Sequence, residues 1–189
     1  NTDWPANNVR YWRQHAPVTK WRAMLFDLDG GLGSFGGDYS VDPFDYAFDS
    51  SKAWDSYPNG AGSNVVLRKL VSRKPMRDRF INRFLVQLAT NLSPASTTHA
   101  MDSLMSSIRS EIPRDVARWH LSVNTQANET KVIRTFLERR PDVIRTGMRT
   151  FFGLDATVQV AMSAPGGTIF VEDMLAGSSY SGTHYQNLP

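Results

Sequence analysis

The stretch "NTDWPANNVRYWRQHAPVTKWRAMLFDLDGGLG", residues 1–33, decides the fold. It opens on a carboxylate, Asp3, with an amide, Asn8, five residues further on, and closes on Asp27 and Asp29 in a glycine-rich turn. Between these polar ends, Val9–Arg13 alternates and is rich in β-formers, and Trp21–Phe26 does the same before ending in an apolar run. The intervening "QHAPVTK" is a short proline-bearing turn, so the two runs read as an antiparallel hairpin.

Beyond the glycines, residues 38–64 hold Pro43, Pro58, Gly60, Gly62 and several Asx residues, the signature of a long irregular loop with one helical turn. The pattern then becomes helical. Phe80, Ile81, Phe84, Leu85, Leu88 and Leu92 follow a 3.6-residue period, which predicts a helix over about 75–91. Ser93-Pro94 caps and restarts the chain, and Met101, Leu104, Met105, Ile108 and Ile112 mark the next helix. Pro113 should interrupt it and let "RDVARWHL" form a separate helix. Asn128 reads as the cap of another, which Pro141 should break or restart before Val143, Ile144, Met148, Phe151 and Phe152 complete it. Methionine and phenylalanine at this spacing are expected in the core. After Gly153, "ATVQVAMS", "APGG" and "TIFVED" read as strand, turn, strand. The reading is α+β and mostly α-helical, with two units: residues 1–154, and a small β segment over 155–189 that looks cut off.

The composition is that of a soluble globular chain of 189 residues, with 41% hydrophobic and 21% charged residues. No apolar run approaches a membrane span. The absence of cysteine excludes disulfides, thiolate metal sites and cysteine nucleophiles. The net charge of +3 conceals a polar distribution: Asp27, Asp29, Asp38, Asp42, Asp45, Asp49 and Asp55 precede Arg68, Lys69, Arg73, Lys74, Arg77, Arg79 and Arg83. The two blocks are expected to neutralise each other across the fold. No interleaving of cations and stacking rings suggests a nucleic-acid partner.

Phosphoryl transfer asks little of a protein: a carboxylate to orient the attacking hydroxyl, and an amide and a second carboxylate to hold the divalent ions on the phosphates. Protein kinases place the first carboxylate and the amide five residues apart, and the second carboxylate beyond a hairpin. Asp3, Asn8 and then Asp27 or Asp29 follow that order. D-x-x-x-x-N alone is weak; the ordered set is more specific.

"NTDWPANNVRYWR", "KWRAMLFDLDGGLG", "FLERRP" and "MRTFFGL" together resemble the CotH family of spore-coat protein kinases, over about residues 1–155. The resemblance implies an atypical kinase-like C-terminal lobe with a front β-hairpin, followed by a small β segment. It implies Asp3 as the catalytic-loop aspartate, Asn8 (with Asn7 the alternative) and Asp27 as magnesium ligands, and Asp29 as a second ligand or a loop-fixing group. ATP with Mg2+ or Mn2+ would be the cofactor, and serine or threonine hydroxyls of a protein the acceptor. The setting would be bacterial and extracytoplasmic: secreted, at a cell surface or in a spore coat.

In that family the phosphate-clamping lysine, its glutamate partner and the adenine pocket precede the catalytic loop. No lysine here takes that role, so the residues are expected to form the C-terminal part of a larger protein, which needs the N-terminal lobe and binds ATP weakly or not at all alone.

Rival readings are weaker. Asp27, Asp29 and Asp38 occupy places one, three and twelve of a calcium-loop register, but place six is Leu32 rather than glycine. His15, His99, His120 and His184 have no serine in a G-x-S-x-G setting, which argues against a hydrolase. A non-catalytic coat or surface protein keeping the fold is the remaining alternative.

Overall fold

A computed structural model of the chain describes residues 4–24, 26–28, 30–186 and 188. Strands β1 (Arg10–Trp12) and β2 (Arg22–Met24) pair antiparallel, with Arg10 opposite Met24 and Trp12 opposite Arg22. The hairpin read from the sequence is therefore present, with shorter strands. Helices follow: α1 (Pro43–Phe48), α2 (Val65–Val71), α3 (Lys74–Ala89), α4 (Pro94–Ile108), α5 (Ile112–Trp119) and α6 (Val123–Phe152). The chain ends in β3 (Thr157–Ser163), β4 (Ile169–Val171), β5 (Met174–Gly177) and β6 (Ser179–Tyr185). The fold is α+β and mostly helical, as the hydrophobic periodicity predicts.

The caps explain several boundaries. Asp42 accepts from the Phe44 N–H at 2.8 Å and starts α1, with Pro43 in its first turn. Ser93 accepts from the Ser96 N–H at 3.2 Å and starts α4 in the same way. Gly153, at φ 60°, ends α6 in the left-handed region that glycine enters at little cost.

Four expectations are corrected. Asn128 is not a cap: α6 begins at Val123, where the Ser122 hydroxyl accepts from the Asn124 N–H at 3.1 Å. Pro141 does not break the helix; α6 runs through it for 30 residues, about 45 Å. Proline removes one hydrogen bond and crowds the preceding turn, and packing of α6 against α4 before it and α1 and α3 after it outweighs that loss. The separate helix expected over "RDVARWHL" is present as α5, but the break from α4 falls at residues 109–111 and Pro113 sits in the first turn of α5. Finally, β3 does not pair with the strand after "APGG": β3 pairs with β6 from Thr157 opposite Tyr185 to Ser163 opposite Ser179, while β4 pairs with β5.

The core lies between α1, α2, α3 and the second half of α6. Phe44, Phe48, Val71, Ile81, Leu85, Leu88, Ile144 and Met148 are buried there, with Tyr185 of β6 among them. Phenylalanine rings run from the core to its edge: buried Phe48 lies 4.9 Å from Phe151, which is exposed, and Phe151 lies 5.0 Å edge-on to Phe152. One glycine sets how closely α1 approaches α6. A Cβ on Gly147 would stand 2.6 Å from Oδ1 of Asp42, the α1 cap. A smaller cluster of Val86, Ile169 and Tyr180 joins the β segment to the other side of α3.

The acidic and basic blocks meet where Arg68 of α2 donates to the Asp49 carbonyl at 3.2 Å and, after the larger effect of the Ser51 hydrogen bonds, its charge helps to lower the Asp49 pKa. Asp38 and Asp49 turn back on Ser40 and Ser51, which hold both carboxyls below their ordinary pKa. The basic helix pairs elsewhere: Lys74 and Arg77 with Asp78, Arg79 and Arg83 with Asp173.

Candidate functional site

The hairpin determines the site's layout. Asn8 precedes β1 and Asp27 follows β2, so antiparallel pairing brings both to the open end of the same two-stranded ribbon. Asn8 is buried and Asp27 exposed. Both hold the left-handed conformation, at φ 57° and 53°. Non-glycine residues enter that region rarely, asparagine and aspartate more readily than most, because their short polar side chains can bond the local backbone. Asp3 and Asp29, the other two residues singled out by sequence, lie outside the described residues.

The chain next to Asp3 is anchored through groups that the sequence reading missed. The Tyr46 hydroxyl on α1 donates to the Trp4 carbonyl at 2.8 Å, and the two rings lie 6.3 Å apart. The Ala6 N–H donates to the Pro58 carbonyl at 2.9 Å. The loop carrying Pro58 is itself fixed from within. Asn59, 1% exposed, donates its amide to the Tyr46 carbonyl, and Asn64, 4% exposed, donates to the Ala47 carbonyl. Arg68 of α2 bonds the Asn64 side chain and the Ala61 carbonyl, the latter at 2.6 Å. A buried amide without partners costs roughly 1–3 kcal/mol, so these amides specify one loop conformation. Their signal in the sequence was two asparagines five apart in a loop too long to be idle.

The segment after Asp27 folds as successive tight turns. Gly31 N–H bonds the Leu28 carbonyl at 3.0 Å, Ser34 N–H the Gly31 carbonyl at 3.0 Å, and Gly37 N–H the Ser34 carbonyl at 3.1 Å. These turns sit on α6, where a Cβ on Gly33 would meet Val132 at 3.1 Å. Further along, Arg140 of α6 donates to the Tyr39 carbonyl at 2.6 Å. The second polar loop is therefore fixed to the longest helix, as the first is fixed to α1.

A cleft of about 610 Å3 opens between the hairpin and α2, beside Trp4 and Pro5. Tyr11 and Trp21 line it from one hairpin face, Val66, Leu67 and Leu70 from α2. On the hairpin, Arg10 lies over the Phe26 ring, Arg13 over Trp21 and Arg22 over Trp12, with 4.9–5.6 Å from guanidinium carbon to ring centre. Cations and rings do interleave here, contrary to the sequence reading, because strand pairing places residues beside each other that are far apart in the chain.

Asn8 and Asp27 offer an amide and a carboxylate oxygen, donors of the kind magnesium and manganese take. Among the described residues, no three histidine, aspartate or glutamate side chains gather as a metal site. The set fits the divalent ion of a phosphoryl-transfer site, where phosphate oxygens complete the shell, better than a closed all-protein cage.

A helical lobe preceded by a hairpin, with an amide on one side and a carboxylate on the other, is the layout of a kinase C-terminal lobe. The chain belongs to the CotH kinase family: the family model described as "CotH kinase protein" matches residues 1–144. No curated protein and no solved structure matches it.

Proposed function

We propose that this chain carries the catalytic half of a site that transfers the γ-phosphate of ATP to serine or threonine hydroxyls of a protein. The observation that carries the proposal is the hairpin register, which brings Asn8 and Asp27 to one end of one ribbon inside the region that matches the kinase family. Asp3 orients the acceptor hydroxyl and receives its proton. Asn8 and Asp27 hold Mg2+ or Mn2+, with Asp29 as a further ligand. The bound ion offsets charge on the phosphates. An N-terminal lobe supplies the phosphate-clamping lysine and closes over the hairpin. That role is supported by the rings left open to water there, Tyr11 at 63%, Trp12 at 47%, Trp21 at 62% and Phe26 at 46% exposure. The strands from β3 to β6 form a second, β unit packed on α3, and the acceptor belongs to an extracytoplasmic, cell-surface or spore-coat protein.

The test is transfer of label from γ-labelled ATP by the natural full-length protein with Mg2+ or Mn2+, alongside Asp3→Ala and Asp27→Ala. Incorporation by wild type that both variants lose supports the reading. No incorporation by wild type would leave a non-catalytic member of the family, and equal incorporation by all three would remove Asp3 and Asp27 from the site.

A further inference from the structure

Beside α3, the β segment bounds an open pocket of about 440 Å3, with Tyr185 of the main core on one wall. Val158, Val160 and Met162 of β3 and Phe170 of β4 make its walls apolar. Its polar groups are Asn82 of α3, Glu172 and His184. Asn82 is 4% exposed and donates its amide to the Glu172 carboxylate at 3.3 Å. His184 is half-buried, with Nε2 2.7 Å from the Tyr180 hydroxyl. Burial lowers its pKa below the ordinary imidazole value.

The turn that carries Glu172 is unusual. Glu172 and Asp173 are the two-residue connection from β4 to β5, at φ 50° and 62°. Two left-handed residues in succession suit Asn-Gly, whereas other side chains are strained there. Ion pairing accounts for Asp173, which bonds Arg79 at 2.8 Å and Arg83. Arg83 also donates to the Glu172 carbonyl at 3.3 Å. Two arginines of α3 thus clamp the turn through Asp173 and the backbone. The Glu172 carboxylate remains with no ion-pair partner among the described residues, at the rim of an apolar pocket.

We propose that this pocket binds a cation on an aliphatic stem, the lysine or arginine side chain of a polypeptide. Val158, Val160 and Met162 take the methylene stem. Glu172, held by Asn82, takes the charge, and the Phe170 ring offers its face to the same cation. An anionic or phosphorylated group would meet the carboxylate and be repelled. The site is independent of phosphoryl transfer and is built from α3 and the β segment rather than from the hairpin.

The test is an NMR titration of the 189-residue chain with N-acetyl-lysine-N-methylamide and its arginine analogue, against neutral N-acetyl-norleucine-N-methylamide. Both cations are expected to shift the amide signals of Phe170, Glu172 and His184 saturably, with the norleucine compound about tenfold weaker or worse, the scale of one charge-assisted hydrogen bond. Glu172→Gln keeps the side-chain volume and should weaken both cations about tenfold with unchanged circular dichroism, while Glu111→Gln on α5 should change nothing. Equal binding of lysine and norleucine compounds, equal binding by Glu172→Gln and wild type, or no saturable shift with either cation would each overturn the proposal.

Discussion

That Asn8 and Asp27 come to one end of the hairpin was legible because a motif spacing and a hairpin signal pointed to them together. Tyr46 was not. Its role is a single hydroxyl reaching the Trp4 carbonyl across 42 positions of sequence, and no local pattern announces a contact at that separation. Tyr46→Phe removes that hydroxyl and keeps the ring. It should lower stability by about 1 kcal/mol, read from the urea midpoint, and lower kcat with KM nearly unchanged, because the loop beside Asp3 loosens. If Asp3 orients the hydroxyl, Asp3→Ala should reduce kcat by roughly two to four orders of magnitude with nucleotide affinity retained. Asp27→Ala should instead weaken metal binding, seen as a raised Mg2+ requirement. Equal kcat for Asp3→Ala and wild type would remove Asp3 from that role. His184 titrates against the fold: burial depresses its folded-state pKa below the unfolded value near 6.5. The unfolded chain therefore takes up the proton first, so stability is held above pH 6.5 and declines as pH falls through the folded-state pKa. The melting temperature should drop as pH falls below about 6.5, and His184→Gln should flatten that decline. A slope unchanged in the variant would place the effect elsewhere.

At the scale of elements, the sequence carried helix identity well and helix ends less well. Periodicity located α3, α4 and the apolar face of α6. Proline misled at two places for one reason: its effect depends on position. At Pro113 it lies in a first turn, where no N–H is needed, and at Pro141 tertiary packing sustains a helix that local preference would end. The β segment failed differently. Any two adjacent strands suggest a hairpin, but β3 finds β6 across an intervening hairpin; the Gly and Ser residues of 177–182 hid β6, and β5 is only four residues long. Gly147 is where two elements approach most tightly with a functional consequence, since it admits the carboxylate that caps α1. Gly147→Ala should displace Asp42 and cost about 1–3 kcal/mol through crowding and loss of the cap, although alanine is the better helix former. A chemical-denaturation midpoint at or above wild type would show that the cap can move aside freely.

Across the whole molecule, the two loops of the site are fixed to different parts of the helical body, the first to α1 and its buried asparagines, the second to α6. The hairpin is the only strand-paired link between them among the described residues, and it stands out from the core with the side chains of both strands exposed. It has two unpaired edges and several open rings, a combination that ordinarily favours self-association. From residue 4 to residue 26 the chain carries Arg10, Arg13, Lys20 and Arg22 and no acid. Three of these cations lie over the rings that would otherwise stick. The arginines therefore act as colloidal protection, keeping a bare aromatic ribbon hydrated and mutually repulsive until something covers it. Replacing Arg10, Arg13 and Arg22 together by glutamine should leave the circular dichroism intact yet produce concentration-dependent light scattering, strongest at high salt where the remaining repulsion is screened.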